Sequence, residues 1–259
     1  MEGLPKEQFD SPEDKKEVVK QLFGHCFEVA TLENNDPIPV GGESIFSEKV
    51  DTTIGGDFEK FQDFFKEVQQ VAASYDLVEM RQWLDSQNIK VDERLFAKLV
   101  AFTKKLDKTY PDNPDRAATR RKIYGEKGLE LKLSDIFDAN AAECAEIAAL
   151  AQFYLQQEGI PSSYFSGDVL WNEEQEFSDE HSFVIIRQGD KLYIYDPANP
   201  TATNYGKFPS LYTTETSFDE EVNKGRKIFV SSRNILSKKE AFFGVNDMTS
   251  VSPEDIIKK

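Results

Sequence analysis

Cys144, His181 and Asp196 are the residues of this chain whose types and order could do covalent chemistry together. A thiolate can attack a carbonyl carbon. An imidazole can keep the sulfur deprotonated and later protonate a leaving amine, while a carboxylate orients the ring and stabilises its cation. His181 follows Cys144 by 37 residues and Asp196 follows His181 by 15. The case for chemistry therefore rests on the elements that would bring the three together.

The element carrying the cysteine reads as a helix. Asn140 can cap it, and Glu143 three residues on can reach back, a capping-box-like pair. Cys144, Ile147, Ala148, Ala151 and Leu155 fall on one face at helical spacing. Gly159 suits the left-handed residue after the last turn, and Pro161 forbids continuation. A thiol in the first turn lies at the positive end of the helix dipole, which favours thiolate. The plainer reading of a lone cysteine on an apolar stripe is inert core.

The other two residues belong to a hairpin. His181–Arg187 and Lys191–Asp196 are β-rich runs around Gly189-Asp190, a two-residue turn signal. With those two residues at the turn, Gln188 faces Lys191 and Phe183 faces Asp196. His181 and Asp196 are then diagonal neighbours on one face, roughly 5–8 Å apart at Cβ. Phe183, Ile185, Leu192 and Ile194 share that face and are expected to pack against the cysteine helix. An oxyanion would find a first donor in the Cys144 backbone N–H and a second candidate in the Asn140 side chain. Trp171, ending a strand-like run from Ser163 that contains Gly167, is a candidate pocket wall; the glycine suggests a bulge. Glu173, Glu174, Glu176, Asp179 and Glu180 form an acidic loop leading into His181.

Composition narrows the classes. The 259 residues are 39% hydrophobic and 12% aromatic, enough for a real core. A formal net charge of −16 argues against nucleic acid or an anionic membrane surface as partner. Two cysteines cannot make a disulfide framework, which points to a reducing compartment. Met1 to Asp10 is polar, without a signal-peptide core, and no apolar run approaches membrane-spanning length. The expected location is the cytoplasm, or export without a Sec-type signal. Two histidines and two cysteines at these spacings make no metal cluster, and no glycine loop has the context of a nucleotide site, so no cofactor is expected.

Ser11-Pro12-Glu13-Asp14 reads as a helix start, with Cys26 on its apolar face and His25 beside it. Glu33 to Asp57, rich in Asn, Pro, Gly and Thr, is a long connection. Asp57 is expected to cap a helix with a Phe58, Phe61, Phe65, Val68 and Ala72 stripe. Further helices follow near Leu77–Leu84 and from Asp92, and Pro111-Asp112-Asn113-Pro114 breaks the pattern. A later strand is expected at Lys227–Ser231. The division predicted is a helical N-terminal region (1–110) suited to partner recognition, a catalytic core (111–245) and a polar tail (246–259).

Cys144 opening a helix that ends in Gly159-Ile160-Pro161, a strand with Gly167, His181-Ser182-Phe183-Val184, then Tyr195-Asp196-Pro197: together these resemble the transglutaminase-like branch of the papain-like cysteine enzymes. The resemblance covers about Arg116 to Asn199. It implies an α+β core with the cysteine helix packed on an antiparallel sheet, and a triad at Cys144, His181 and Asp196. It further implies action on amide bonds of a protein or peptide: hydrolytic (glutamine deamidation or cleavage), amine-incorporating, or lost in members that serve as scaffolds. Two positions depart from the pattern, Glu143 before the cysteine and Phe183 two residues after the histidine.

Overall fold

The computed structural model describes residues 37–44, 49–127, 130–172, 179–189, 191–204, 206–220 and 228–245. The expected helix around His25 and Cys26, the acidic residues 173–178 and the polar tail from 246 lie outside them. Strands β1 (Pro37–Ser44) and β2 (Lys49–Gly55) pair antiparallel, so the stretch read as a connection carries a two-stranded sheet. A 3-10 turn at Phe58–Phe61 leads into α1 (Gln62–Ala73), followed by α2 (Leu77–Ser86), α3 (Glu93–Thr109), α4 (Arg116–Lys127), α5 (Leu133–Asp138) and α6 (Cys144–Gln157). Then come β3 (Ser162–Leu170), β4 (Asp179–Gln188), β5 (Lys191–Thr203), β6 (Gly206–Glu220), β7 (Ile228–Asn234) and β8 (Glu240–Val245).

Strands β3 to β8 close into an antiparallel barrel in sequence order, with β8 returning to β3. This overturns the expected papain-like helix-on-sheet core. Closure depends on a strand pair that joins residues more than seventy positions apart, which no local pattern announces. It also depends on Gly167. A Cβ there would lie 2.2 Å from the Gly244 carbonyl oxygen, so β8 can approach only because position 167 has no side chain. The β3–β4 register is continuous through Gly167, opposite His181, so the glycine marks close approach rather than a bulge.

Helix α6 is buried on nearly every side, with Ala145, Ala148, Ala149 and Ala151 within 2% of full burial. A helix apolar all round belongs in a core, not on a surface. One side meets the outer wall of the barrel; the other meets α1 and α3 through rings. Phe153 stacks on Phe58 at 4.2 Å, and Tyr154 packs on Phe65 and Phe102 at 5.8 and 5.4 Å. Aromatic residues from both sides of Pro111 thus share one core. The end of α6 follows the expected chemistry. Gly159 has φ 69°, its N–H donates to the Gln156 carbonyl, and the Ile160 N–H donates to Leu155, a Schellman motif.

Its beginning does not. The capping residue is Glu143, whose N–H donates to Glu146 Oε2, while Asn140 sits three residues earlier at φ 50°. Asp57 behaves similarly: its carboxylate makes no cap on its own turn and instead accepts from the N–H and hydroxyl of Ser134 in α5. Asp76 and Asp92 cap α2 and α3 in the local way, each accepting from the second and third residues beyond it.

Period-two alternation divides strands β3 to β6 between two cores. Val184, Ile186, Tyr193 and Tyr195 face the helices, whereas Phe183, Ile185 and Ile194 fill the lumen with Phe165, Tyr212 and Phe243. Phe183, Ile185, Leu192 and Ile194 do share a face, but it is the lumenal one, and the opposite face meets α6. Both faces of these strands are apolar, so hydrophobicity cannot tell which one meets the helix.

Candidate active site

The hairpin register is the one expected: Val184 pairs with Tyr195 and Gln188 with Lys191, with Gly189 at φ 62° in the turn. His181 and Asp196 therefore point to the same side. His181 Nε2 lies 2.9 Å from Asp196 Oδ2, with the two side chains 6% and 0% exposed. The imidazole is at one end of the aromatic lumen. Phe183 lies beneath it at 6.4 Å between centroids, and Trp171 meets it edge-on at 5.4 Å and 64°. Trp171 is half-buried and also contacts Phe243.

Cys144 is the first residue of α6 and is partly exposed while the turns behind it are buried. Its thiol lies close enough to His181 to act on the imidazole. Because Nε2 is directed at Asp196, Nδ1 is the ring nitrogen left for the sulfur. Burial on its own lowers the His181 pKa. The Asp196 charge and hydrogen bond, joined by the nearby Cys144, more than reverse this and raise it to about 10. Asp196 thus favours the cationic form of the ring. Of the three residues proposed from sequence, His181 and Asp196 are in contact, and Cys144 lies near the ring.

Asp196 accepts from every side. Oδ1 takes the N–H groups of Ala198 and Asn199 at 3.2 Å each, and Oδ2 takes the Asn199 amide at 3.0 Å besides the imidazole. The turn-forming reading of Asp-Pro and the catalytic reading are both satisfied, one by each carboxylate oxygen.

Asn140 is directed elsewhere. Its side-chain amide donates to the Pro111 carbonyl at 3.0 Å, and its own carbonyl accepts from Asn113. It secures the turn before α6 and does not cap the helix. The backbone N–H of Cys144, at a position whose amide no helix satisfies internally, remains the oxyanion donor the geometry offers.

The departure at Glu143 has a structural partner. Arg120 of α4, 3% exposed, donates from Nε and Nη2 to Glu146 Oε1 at 3.0 and 2.8 Å and from Nη1 to Glu143 Oε2 at 3.1 Å. The Tyr124 hydroxyl adds a bond to Glu146 at 3.3 Å. One guanidinium therefore grips the residues on either side of Cys144 and Ala145, fixing the first turn that presents the thiol. On the barrel wall, the Tyr164 hydroxyl bonds the Ser182 hydroxyl at 3.2 Å, next to His181. Burial raises the Tyr164 pKa, and the nearby Cys144 charge adds to this. Arg120, Glu146, Tyr124 and Asn199 were not singled out from sequence. The spacing of Arg120 and Tyr124 on one helical face was the available signal.

No family model and no curated protein matches this chain.

Among the described residues, no cluster of His, Cys, Asp and Glu is arranged to hold a metal ion. No described helix is long and apolar enough to cross a membrane.

Proposed function

We propose that this protein is a cysteine-dependent acyl-transfer enzyme that hydrolyses an amide of a protein or peptide, with chemistry of the transglutaminase-like kind. The observation that carries the reading is one imidazole 2.9 Å from a fully buried carboxylate, with a partly exposed thiol near enough to act on the same ring. The motif order that resembles transglutaminase-like enzymes supports it independently of the barrel.

The Cys144 thiolate attacks the carbonyl carbon, and the new oxyanion is met by the Cys144 N–H at the positive end of α6. Collapse of the tetrahedral intermediate breaks the C–N bond, and the His181 imidazolium gives its proton to the departing nitrogen. Neutral imidazole then removes a proton from water, whose oxygen attacks the thioester. A carboxylate is released and the thiolate regenerated. Asp196 stays ionised throughout and holds the ring. With ammonia leaving, the reaction is glutamine deamidation; with a peptide amine leaving, it is cleavage. A reducing compartment keeps the thiol available, either a cytosol of origin or one entered by signal-independent export.

The test is labelling by a cysteine-directed probe, followed by intact mass of candidate protein substrates. Labelling at Cys144 that is lost in His181→Ala supports the enzyme. Exchange of NH2 for OH, chain scission or joined masses then separate deamidation, cleavage and cross-linking. Labelling indifferent to His181 overturns the proposal.

A further inference from the structure

We infer that Asn199 is a positioning residue of this triad, carried on a bulge whose work is to lay its amide over the His181–Asp196 contact; the inference rests on the acyl-transfer reading above. Pairing of β5 with β6 runs to Asp196 opposite Ser210, then resumes at Thr201 opposite Phe208. Four residues, Pro197 to Pro200, thus stand against the single Pro209. Bulges gather at barrel rims and beside active sites because they re-aim a side chain out of strand alternation. Prolines at 197, 200 and 209 need no ladder hydrogen bond and fix φ, so the interruption is stiff. Its far end is pinned from β7. The Asn234 amide donates to Thr201 and Ser210 hydroxyls at 3.2 and 3.4 Å, and those two hydroxyls bond each other at 2.8 Å.

The bulge brings the Asn199 amide 3.0 Å from Asp196 Oδ2 and 3.5 Å from His181 Nε2. At 2.9 Å from a carboxylate oxygen, Nε2 must carry a proton, so it cannot accept from Asn199. The amide hydrogen therefore goes to Oδ2. That oxygen then has two donors, the ring and the amide, which fix the carboxylate's rotation in line with Nε2. A fixed carboxylate fixes the ring, and with it the direction of Nδ1, the nitrogen left for Cys144. Asn199 is itself exposed at the rim, so it also stands between water and this contact.

The experiment measures the second-order rate of Cys144 alkylation by iodoacetamide from pH 3.5 to 9 in the full chain, with Cys26→Ala leaving one thiol. Asn199→Ala, Asn199→Asp and His181→Gln are compared with the parent. Asn199→Ala loses one hydrogen bond, a loss of about threefold to tenfold at pH 7. Asn199→Asp loses at least as much at pH 7, because an acceptor now faces Asp196. It recovers toward the parent below about pH 4, where the introduced carboxyl is protonated and can donate. Asp179 and Glu180 of β4, the other charged side chains at this end of the strand, are unchanged in all proteins compared. A merely structural turn predicts the reverse order, since aspartate serves a turn as well as asparagine and alanine does not. That order, or rates equal to the parent for both Asn199 variants while His181→Gln is slow, removes the Asn199 assignment alone. A His181→Gln rate equal to the parent removes the triad and this inference with it.

Discussion

Asp196→Asn tests the electrostatic part of the proposed mechanism. The substituted side chain keeps a carbonyl oxygen for the Ala198 and Asn199 N–H groups, so the turn after β5 survives. What disappears is the charge 2.9 Å from His181 Nε2, and with it the oxygen that accepts from the Asn199 amide. Burial lowers the imidazole pKa and Asp196 heads the forces that raise it to about 10, so the midpoint falls in the variant. At pH 8 the parent ring is about 99% cationic; at an ordinary histidine pKa it would be about 3%, a loss of roughly thirtyfold in imidazolium. The assay is proton NMR of the ring in a His25→Gln background, where one histidine remains, followed from pH 5 to 11. The same titration predicts stability. A histidine whose folded pKa lies above its unfolded value stabilises fully below about pH 6.5, and the contribution drains away as pH rises to about 10. Urea midpoints of the parent should therefore fall across that window relative to Asp196→Asn, by an amount worth a few kcal/mol at most. A ring that titrates near 6.5 in the parent, or at the same pH in both proteins, refutes the reasoning.

The framework that presents the site can be probed by its stability. Gly167→Ala places a methyl 2.2 Å from the Gly244 carbonyl oxygen, so β8 must move away from β3, and urea denaturation should show a loss of about 2 kcal/mol or more. Gly125→Ala, in the exposed face of α4 with nothing within 4 Å of the new atom, should instead gain up to about 1 kcal/mol. Arg120→Met leaves the Glu146 carboxylate buried without its cation and should cost about 3–5 kcal/mol. Replacing both partners, Arg120→Met with Glu146→Leu, should recover much of that in the same denaturation measurement.

How much of this site could be read in advance depended on how far each interaction reaches along the chain. The β4–β5 register needed only a two-residue turn and the alternation of side chains, and it placed His181 and Asp196 on one face as found. The Gly159 terminus of α6 is equally local, because a left-handed residue followed by Pro161 permits little else. Asn140 shows the opposite. Its capping chemistry is real, but the Pro111 carbonyl, 29 residues back, competes for the same amide and wins. The same competition moved the Asp57 carboxylate to Ser134, 77 residues on.

Residue types, their order and one tight turn already determined which side chains could perform nucleophilic chemistry and that two of them would meet. Tertiary structure alone decided that the sheet closes through β3 and β8, that the shared face of Phe183 and Ile194 lines a lumen, and that Arg120 reaches Glu146. The physical reason is the same in each case. Turn geometry and strand alternation act between neighbours, whereas a chain with two apolar faces leaves its partners to be chosen by packing, and packing is a property of the whole fold.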